Sequence, residues 1–420
     1  VDIGGAPKSC EVPAERIETI LNEGLWFDGS SIEGFARIYE SDMYLKPDIS
    51  TYIVYPWYER KVARIICDVY IDEKTPFEGC PRGLLKKVLA RAKEMDFDYK
   101  VGPELEFFLF KDVTLNNGKI LHSDSVGYFD AGPRDPAEPL KHEIVPALNA
   151  LGFDVEMTHH EVAPSQHEID FRYDNGLKIA DTVITIKTIL KTLAKNHGLY
   201  ATFMPKPIYG INGSGMHTHQ SLWSNGKNAF YDDSKSYSLS KLAMQFLAGQ
   251  LEHAKEISAI LSPTVNSYKR LVPGYEAPVY ICWGQVNRSA LIRVPKATKS
   301  KRSVATRLEL RNPDPSCNPY LAFAIMLSAG LDGIKRKLQA PEPVEENVYH
   351  FDENQLKEKG IKVLPCSLYE ALKITENSEF VKETLGTFLF EKLIETGKKQ
   401  WEMYHSRVSD WEIEYYLMNL

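Results

Sequence analysis

"GPELEFFLF", residues 102–110, sets Glu104 and Glu106 one residue apart in a run that is otherwise almost wholly apolar. In a strand, residues i and i+2 point to one face, so the two carboxylates project together while Leu105, Phe107 and Leu109 take the other side. Ionised carboxylates that close repel, and they are rarely buried unless a cation lies between them or one is protonated. The segment reads either as a half-exposed edge strand whose charges face water or as part of a cation site. Residues elsewhere in the chain decide between the two.

A chain of 420 residues exceeds one ordinary core, so two domains are expected. Hydrophobic content of 43% and charged content of 25% are those of a soluble globular protein. A net charge of -7 argues against general nucleic-acid binding but leaves room for a local basic pocket. The cysteines, Cys10, Cys67, Cys80, Cys282, Cys317 and Cys366, are scattered without any CxxC. That usage suits reduced thiols in a cytoplasm, mostly filling core, better than a disulfide framework or a zinc site. No apolar run approaches a membrane span, and the N-terminal "VDIGGAPKSC" lacks the charge-then-apolar order of an export signal.

Residues 1–83 read as a small β-rich domain, with the alternating "YIVYPWY" and the β-branched "KVARIICDVYI" broken by turns. "TPFEGCPRG" is a Pro/Gly-rich boundary, after which "LLKKVLARAKEM" from Leu84 shows helical spacing. Residues 84–420 then mix strands with clear helices, among them "GLKIADTVITIKTILKTLAKNHG" and "NPYLAFAIMLSAGLDGIKRKL". Regular βαβ alternation is missing, which predicts an α+β fold, antiparallel sheet with helices packed outside it. "APEPVEENVYHFDENQLKEKG" reads as a loop, followed by a helical C-terminal region.

Three further constellations join the glutamate pair. In "HHEVAPSQHEIDF", 159–171, Glu161 and Glu168 flank a Pro-containing turn that can bring both carboxylates back to one site. In "GINGSGMHTHQSLW", 210–223, the loop Asn212 to Gly215 lets backbone approach a ligand, and the strand after it sends His217, His219 and Ser221 to one face. In "RLELRNPDPSCNPY", Arg307, Glu309 and Arg311 share a face, while Arg270, Arg288 and Arg293 add guanidiniums suited to phosphate or carboxylate. Surface charge or structural ion pairs would account for each of these alone. Together they offer Glu104, Glu106, Glu161, Glu168, His217 and Glu309 as ligands, mostly oxygen, which favours two or three Mg²⁺ or Mn²⁺ ions. Such ions beside several arginines are the equipment of phosphoryl transfer from a nucleotide.

Through "FDGSSIEGF", "ESDM", "GPELEFFLF", "HHEV", "NGSGMHTHQSL", "NSYKRLVPGYEAP", "NRSALIRVP" and "RLELRNPDPSCNPY" the chain resembles the glutamine synthetase family in its bacterial and archaeal type I form. The resemblance runs in order over almost the whole length. It implies a β-grasp N-terminal domain, a larger catalytic domain, and a cytoplasmic homododecamer of two hexameric rings with active sites between neighbouring subunits. It implies an ATP-dependent ligase that joins L-glutamate and ammonium through γ-glutamyl phosphate, central to nitrogen assimilation. One ion would sit on Glu106, Glu161 and Glu168, the other on Glu104, His217 and Glu309.

The same resemblance places Arg270, Asn212 and Gly213 at the substrate α-carboxylate and Arg311 near the reacting γ-carboxyl. Arg288 and Arg293 would hold the transferring phosphoryl group, and His219, Ser221, Arg307, Glu156 and Tyr173 the nucleotide side. Asp28 and Asp42 from a neighbouring subunit, with Glu276 on a closing loop, would take ammonium and its proton, and Tyr128 would line that pocket. Compared with the family's fullest form, a first N-terminal strand is missing from the text. The "SSIEGFAR" stretch resembles the alpha subtype, in which Arg37 is tied to feedback by glutamine and Tyr349 is unmodified. Two other readings stand beside this one, a γ-glutamyl-amine ligase of the same fold and a non-catalytic relative that has lost its ligands.

Overall fold

The computed structural model describes residues 1–30, 32, 34, 42–114, 119–132 and 134–420. Arg37 lies outside the described residues. Near the N-terminus a short helix, Ile17–Glu23, precedes a three-stranded antiparallel sheet of β1 (Leu25–Asp28), β2 (Asp42–Tyr55) and β3 (Val62–Tyr70) in that spatial order. The helix Pro81–Glu94 follows. It begins three residues before Leu84, where the apolar spacing put its start, because proline is well suited to a first helical position.

The remaining strands form one large sheet. They are β4 (Asp98–Thr114), β5 (Lys119–His122), β6 (Val155–His160), β7 (Gln166–Phe171), β8 (Asp174–Asn175), β9 (Tyr200–Thr202), β10 (Met216–Ser224), β11 (Lys227–Asn228), β12 (Tyr280–Gly284), β13 (Ala290–Arg293), β14 (Leu308–Leu310) and β15 (Lys362–Val363). The main path runs β15, β12, β13, β14, β10, β4, β7, β6, with β5, β8 and β9 also on β4 and β11 on β10. The pairs are antiparallel except β12 with β13. A parallel pair ordinarily needs a long crossover. Here β12 is only five residues long, so the extended link 285–289, reaching about 17 Å at most, can run back along it.

Long helices cover the apolar side of this sheet. The helix Pro319–Arg336 is buried along most of its length and crosses the helix Lys241–Glu252 in close contact. Glycines allow that approach, since a Cβ on Gly249 would stand 2.1 Å from the Ala329 carbonyl and one on Gly333 2.1 Å from that of Gln245. The stretch expected to be a loop near residue 350 contains a further helix, Glu353–Glu358. Six residues are too few to show a periodicity, but Asp352 and Gln355 form a capping box that nucleates it.

The small sheet and the larger body are joined by a buried ion cluster. Arg82, 4% exposed, contacts Asp48 on β2 at 2.8 Å, Asp68 on β3 at 2.7 Å and Asp181 on the helix Gly176–Asn196 at 2.8 Å. Tyr320 donates a hydrogen bond to Asp181 at 2.6 Å, which ties the cluster to the central helix.

Candidate active site

Strand register gathers the predicted side chains. β4 lies between β10 and β7, so that Glu104 stands opposite His217 on one side and Asp170 on the other, and Glu106 stands opposite Glu168. Next, β14 places Glu309 opposite His219, and β13 places Arg293 opposite Glu309. Directly paired residues share a face. One face of the sheet therefore carries Glu104, Glu106, Glu168, Asp170, His217, His219, Glu309 and Arg293. The other carries Leu105, Ile169, Met216, Ile292, Leu308 and Leu310, each at most 2% exposed.

At one pole His217 Nδ1 lies 3.0 Å from Glu104 and 3.9 Å from both Glu106 and Glu309, while His219 Nε2 meets Glu104 at 2.7 Å. Glu104, His217 and Glu309 bring ligand atoms within 4.8 Å of one another. Burial lowers the His217 pKa, which keeps its nitrogen lone pair available. Burial also works to raise Glu104, but His219 and His217 outweigh it and hold the carboxyl well below its usual range.

The second pole was legible only in part. Glu106 and Glu168 face each other, and Glu161 follows β6 with His159 Nδ1 at 3.8 Å from it. Yet the tightest grouping there is His159, Glu168 and Asp170, again within 4.8 Å, with His159 Nε2 3.1 Å from Glu168. Asp170 and His159 were missed. Continuing the period-two alternation from Glu168 reaches Asp170, whereas His159 enters through the β6–β7 register, which the sequence does not display.

So many carboxyls in one dry place repel. Burial, then the charge on Glu161, pushes Glu106 up to about 8. Burial, then Glu106 and Asp170, pushes Glu168 up to about 12, and burial with Glu104 raises Asp170 to about 7. The Asp170 Oδ1 is buried with no hydrogen-bond partner. A divalent cation relieves each of these costs, so the residues present fit bound Mg²⁺ or Mn²⁺.

The sign of the pH effect follows for metal-free protein. These folded pKa values lie above the unfolded ones, so the folded chain keeps protons that the unfolded chain has released. The contribution of these three carboxyls to stability therefore falls as pH rises above about 4.5. Glu168→Gln has no such proton to keep. In chelator near neutral pH it should be the more stable by on the order of 1–3 kcal/mol, a gap that widens with pH and closes when Mg²⁺ is added to wild type. Urea midpoints across the pH range check this, and a gap that shrinks with rising pH contradicts it.

Arginines rim the acidic face. Glu309, 1% exposed, pairs with Arg293 at 3.0 Å and with Arg311 at 3.2 Å. Arg307 Nε donates to His219 at 3.2 Å. Arg270 is 4% exposed beneath the Asn212 to Gly215 loop and donates to the carbonyls of Arg311 and Asn312, both at 3.0 Å. Gly215 is forced there, because a Cβ would stand 2.5 Å from that guanidinium. Gly213 is similarly confined, at 2.3 Å from the Pro205 carbonyl. Arg288 and Glu276 face solvent 3.8 Å apart, and Glu276 adopts φ 56°, a left-handed backbone unusual for glutamate.

Other predicted residues lie further out. Ser221 is buried on β10 and accepts a hydrogen bond from Trp223, whose ring stacks on Tyr173 at 5.9 Å. Glu156 is exposed on β6. Tyr128 is half-exposed with its ring edge-on to His159 at 5.4 Å; partial burial, then Glu161 and Glu168, raises its pKa. Asp28 and Asp42 are opposite each other on β1 and β2, exposed, and belong to the small sheet rather than to the acidic face.

Comparison with known proteins agrees with this arrangement. The family model "Glutamine synthetase, beta-Grasp domain" matches residues 1–72, and "Glutamine synthetase, catalytic domain" matches residues 78–416. Similar proteins include the glutamine synthetase of Methanocaldococcus jannaschii, 53% identical over 100% of this chain and 94% of the relative. That of Staphylococcus aureus strain MW2 is 48% identical over 99% and 93%. Among solved structures, one described as "GmaS/ADP complex-Conformation 1" superposes with a TM-score of 0.90 at 33% identity over 99% of this chain and 95% of that one. A Plasmodium falciparum glutamine synthetase gives 0.85 at 28% identity over 97% and 91%. With both domains matched in order, a β-grasp unit followed by a catalytic sheet whose acidic face is rimmed by arginines, the chain belongs to the glutamine synthetase family.

Proposed function

We propose that this chain makes L-glutamine from L-glutamate, ammonium and ATP through γ-glutamyl phosphate. The observation that carries the reading is the single sheet face on which Glu104, Glu106, Glu168, His217 and Glu309 converge beside Arg293 and Arg311. Glu104, His217 and Glu309 would hold one Mg²⁺ or Mn²⁺ and Glu106, Glu161 and Glu168 another, with Asp170 and His159 available to a third. When bound, the ions supply charge neutralisation at the nucleotide's phosphates.

The side chains divide the remaining work. Arg270, Asn212 and Gly213 bind the α-carboxylate, and Arg311 orients the γ-carboxylate for attack on the terminal phosphorus of ATP. Arg288 and Arg293 counter the charge that spreads over the transferring group. His219, Ser221, Arg307, Glu156 and Tyr173 hold the nucleotide, the stacked Tyr173 and Trp223 rings offering a flat apolar platform. Glu276 covers the acyl phosphate and accepts a proton from ammonium, with Tyr128 beside it. Asp28 and Asp42, away from the acidic face of their own chain, serve a neighbouring copy in a dodecamer. No described helix is long and apolar enough to cross a membrane, and the cysteines are free, which suits a cytoplasmic setting. Arg37 serves feedback by glutamine, as the family resemblance implies.

The test is product formation with ammonium against ethanolamine, alongside ADP release dependent on glutamate. Glu276→Ala should lower glutamine formation by about 10²- to 10⁴-fold while glutamate-dependent ADP release falls far less. Equal loss of both would remove Glu276 from the ammonium step, and preference for ethanolamine would overturn the substrate assignment.

A further inference from the structure

A second polar cluster lies on the reverse side of β6 and β7, and the chemistry above makes no use of it. Alternation that sends His159 and Glu168 to the acidic face sends His160 and His167 to the opposite one, where they pair across the two strands with ring centroids 4.7 Å apart. Asp124, following β5, completes the group. The ligand atoms of Asp124, His160 and His167 lie within 4.8 Å of one another, and all three side chains are shut off from solvent.

The orientation of each group is specific. His160 Nδ1 is 2.7 Å from the Glu161 carbonyl and donates there, while Nε2 faces Asp124 Oδ1 at 3.2 Å, donating to it in the metal-free chain and offering a lone pair once a cation takes the place of that proton. Asp124 is steered by the amides of Val126 and Ser165 and by the Ser123 hydroxyl. His167 is different. Although fully buried, neither of its ring nitrogens has a hydrogen-bond partner. An ion pair between His160 and Asp124 satisfies two residues and leaves the third imidazole stranded, a costly state for a buried polar ring. A cation shared by the three satisfies all of them, with the Glu161 carbonyl orienting one imidazole as ligating histidines are usually held.

We propose that Asp124, His160 and His167 bind one divalent transition-metal ion of the zinc class, distinct from the ions of the acidic face. Two imidazoles and one carboxylate select Zn²⁺ or a similar ion over Mg²⁺, which prefers oxygen. Bound there, the ion cross-links β6 to β7 and, through their backbone, holds Glu161 and Glu168 at a set separation on the other face. Its role is positioning, not catalysis.

Metal content of the full chain tests the proposal, after folding in zinc-supplemented cells and dialysis against chelator to clear the acidic face. About one zinc per chain should remain in wild type and in Glu104→Gln, whereas Asp124→Asn and His167→Phe should keep about a tenth of that or less. His167→Cys, which restores a ligand, should retain the ion. Circular dichroism and assembly size report whether the variants folded. Wild-type chain that retains no zinc overturns the proposal whatever the variants do. On wild type alone, Co²⁺ in place of the retained ion should give the intense visible absorbance of a four-coordinate site. The weak absorbance of a six-coordinate one would place the ion on the acidic face and overturn the proposal as well.

Discussion

Glu106→Gln should lower the rate of glutamine formation by about 10²- to 10³-fold while leaving the metal-free chain as stable as wild type or more so. The shape of the site is kept, because Glu106 Oε2 accepts hydrogen bonds from the Gly215 amide at 2.9 Å and from Gln166 at 3.0 Å, and an amide oxygen can accept both. What changes is the other oxygen, which becomes an NH₂ facing Glu168, His217 and any ion between them. Metal-free protein already meets its charge problem by raising the Glu106 pKa to about 8, so removing the charge relieves burial and repulsion there.

Metal response separates this outcome from simple unfolding. Wild type in Mg²⁺ at a hundredfold excess over its dissociation constant should gain about 2.7 kcal/mol of stability, and the variant much less. Steady-state rates together with thermal midpoints in Mg²⁺ and in chelator measure both halves. A variant with wild-type turnover and wild-type Mg²⁺ response would show that Glu106 touches no ion.

Arg82→Ala should destabilise the chain by about 3–5 kcal/mol, because it removes the guanidinium shared by Asp48, Asp68 and Asp181 and leaves buried carboxylates uncompensated. Lys86, one turn along the same helix, contacts Asp68 and lies 3.7 Å from Asp48, so it recovers part of that charge and favours the lower end of the range. Arg82→Lys should not restore wild-type stability, since one compact ammonium cannot reach three carboxylates as a planar fork does. Arg82 holds the small sheet to the catalytic body, so the segment between β3 and the helix Pro81–Glu94 should become sensitive to protease in the variant. Urea midpoints and limited proteolysis measure this, and a loss below about 1 kcal/mol would reduce the cluster to an ordinary surface pair.

Much of the acidic face was readable from alternation alone. Glu104 with Glu106, His217 with His219, and Arg307 with Glu309 and Arg311 each repeat at period two, and each trio or pair does share a strand face or its continuation. Asp170 obeys the same rule from Glu168, but an acidic residue near the end of a strand carries little contrast with the polar turn that follows. One and a half turns show no repeat, so periodicity alone reads the helix Glu353–Glu358 as loop, although its capping residues Asp352 and Gln355 stand in the sequence. The parallel β12–β13 pair had no local signal whatever.

By itself the sequence determined which side chains lie on a common edge of each strand, since extended backbone alternates residue by residue whatever surrounds it. Only the tertiary structure decided that β10 and β7 flank β4 in the registers that bring His217 and Asp170 to Glu104 and Glu168 to Glu106, and that His159 and the buried trio behind it exist as groups at all. Those registers depend on packing the apolar reverse face against distant helices, and a slip of one residue would have turned every carboxylate into the core.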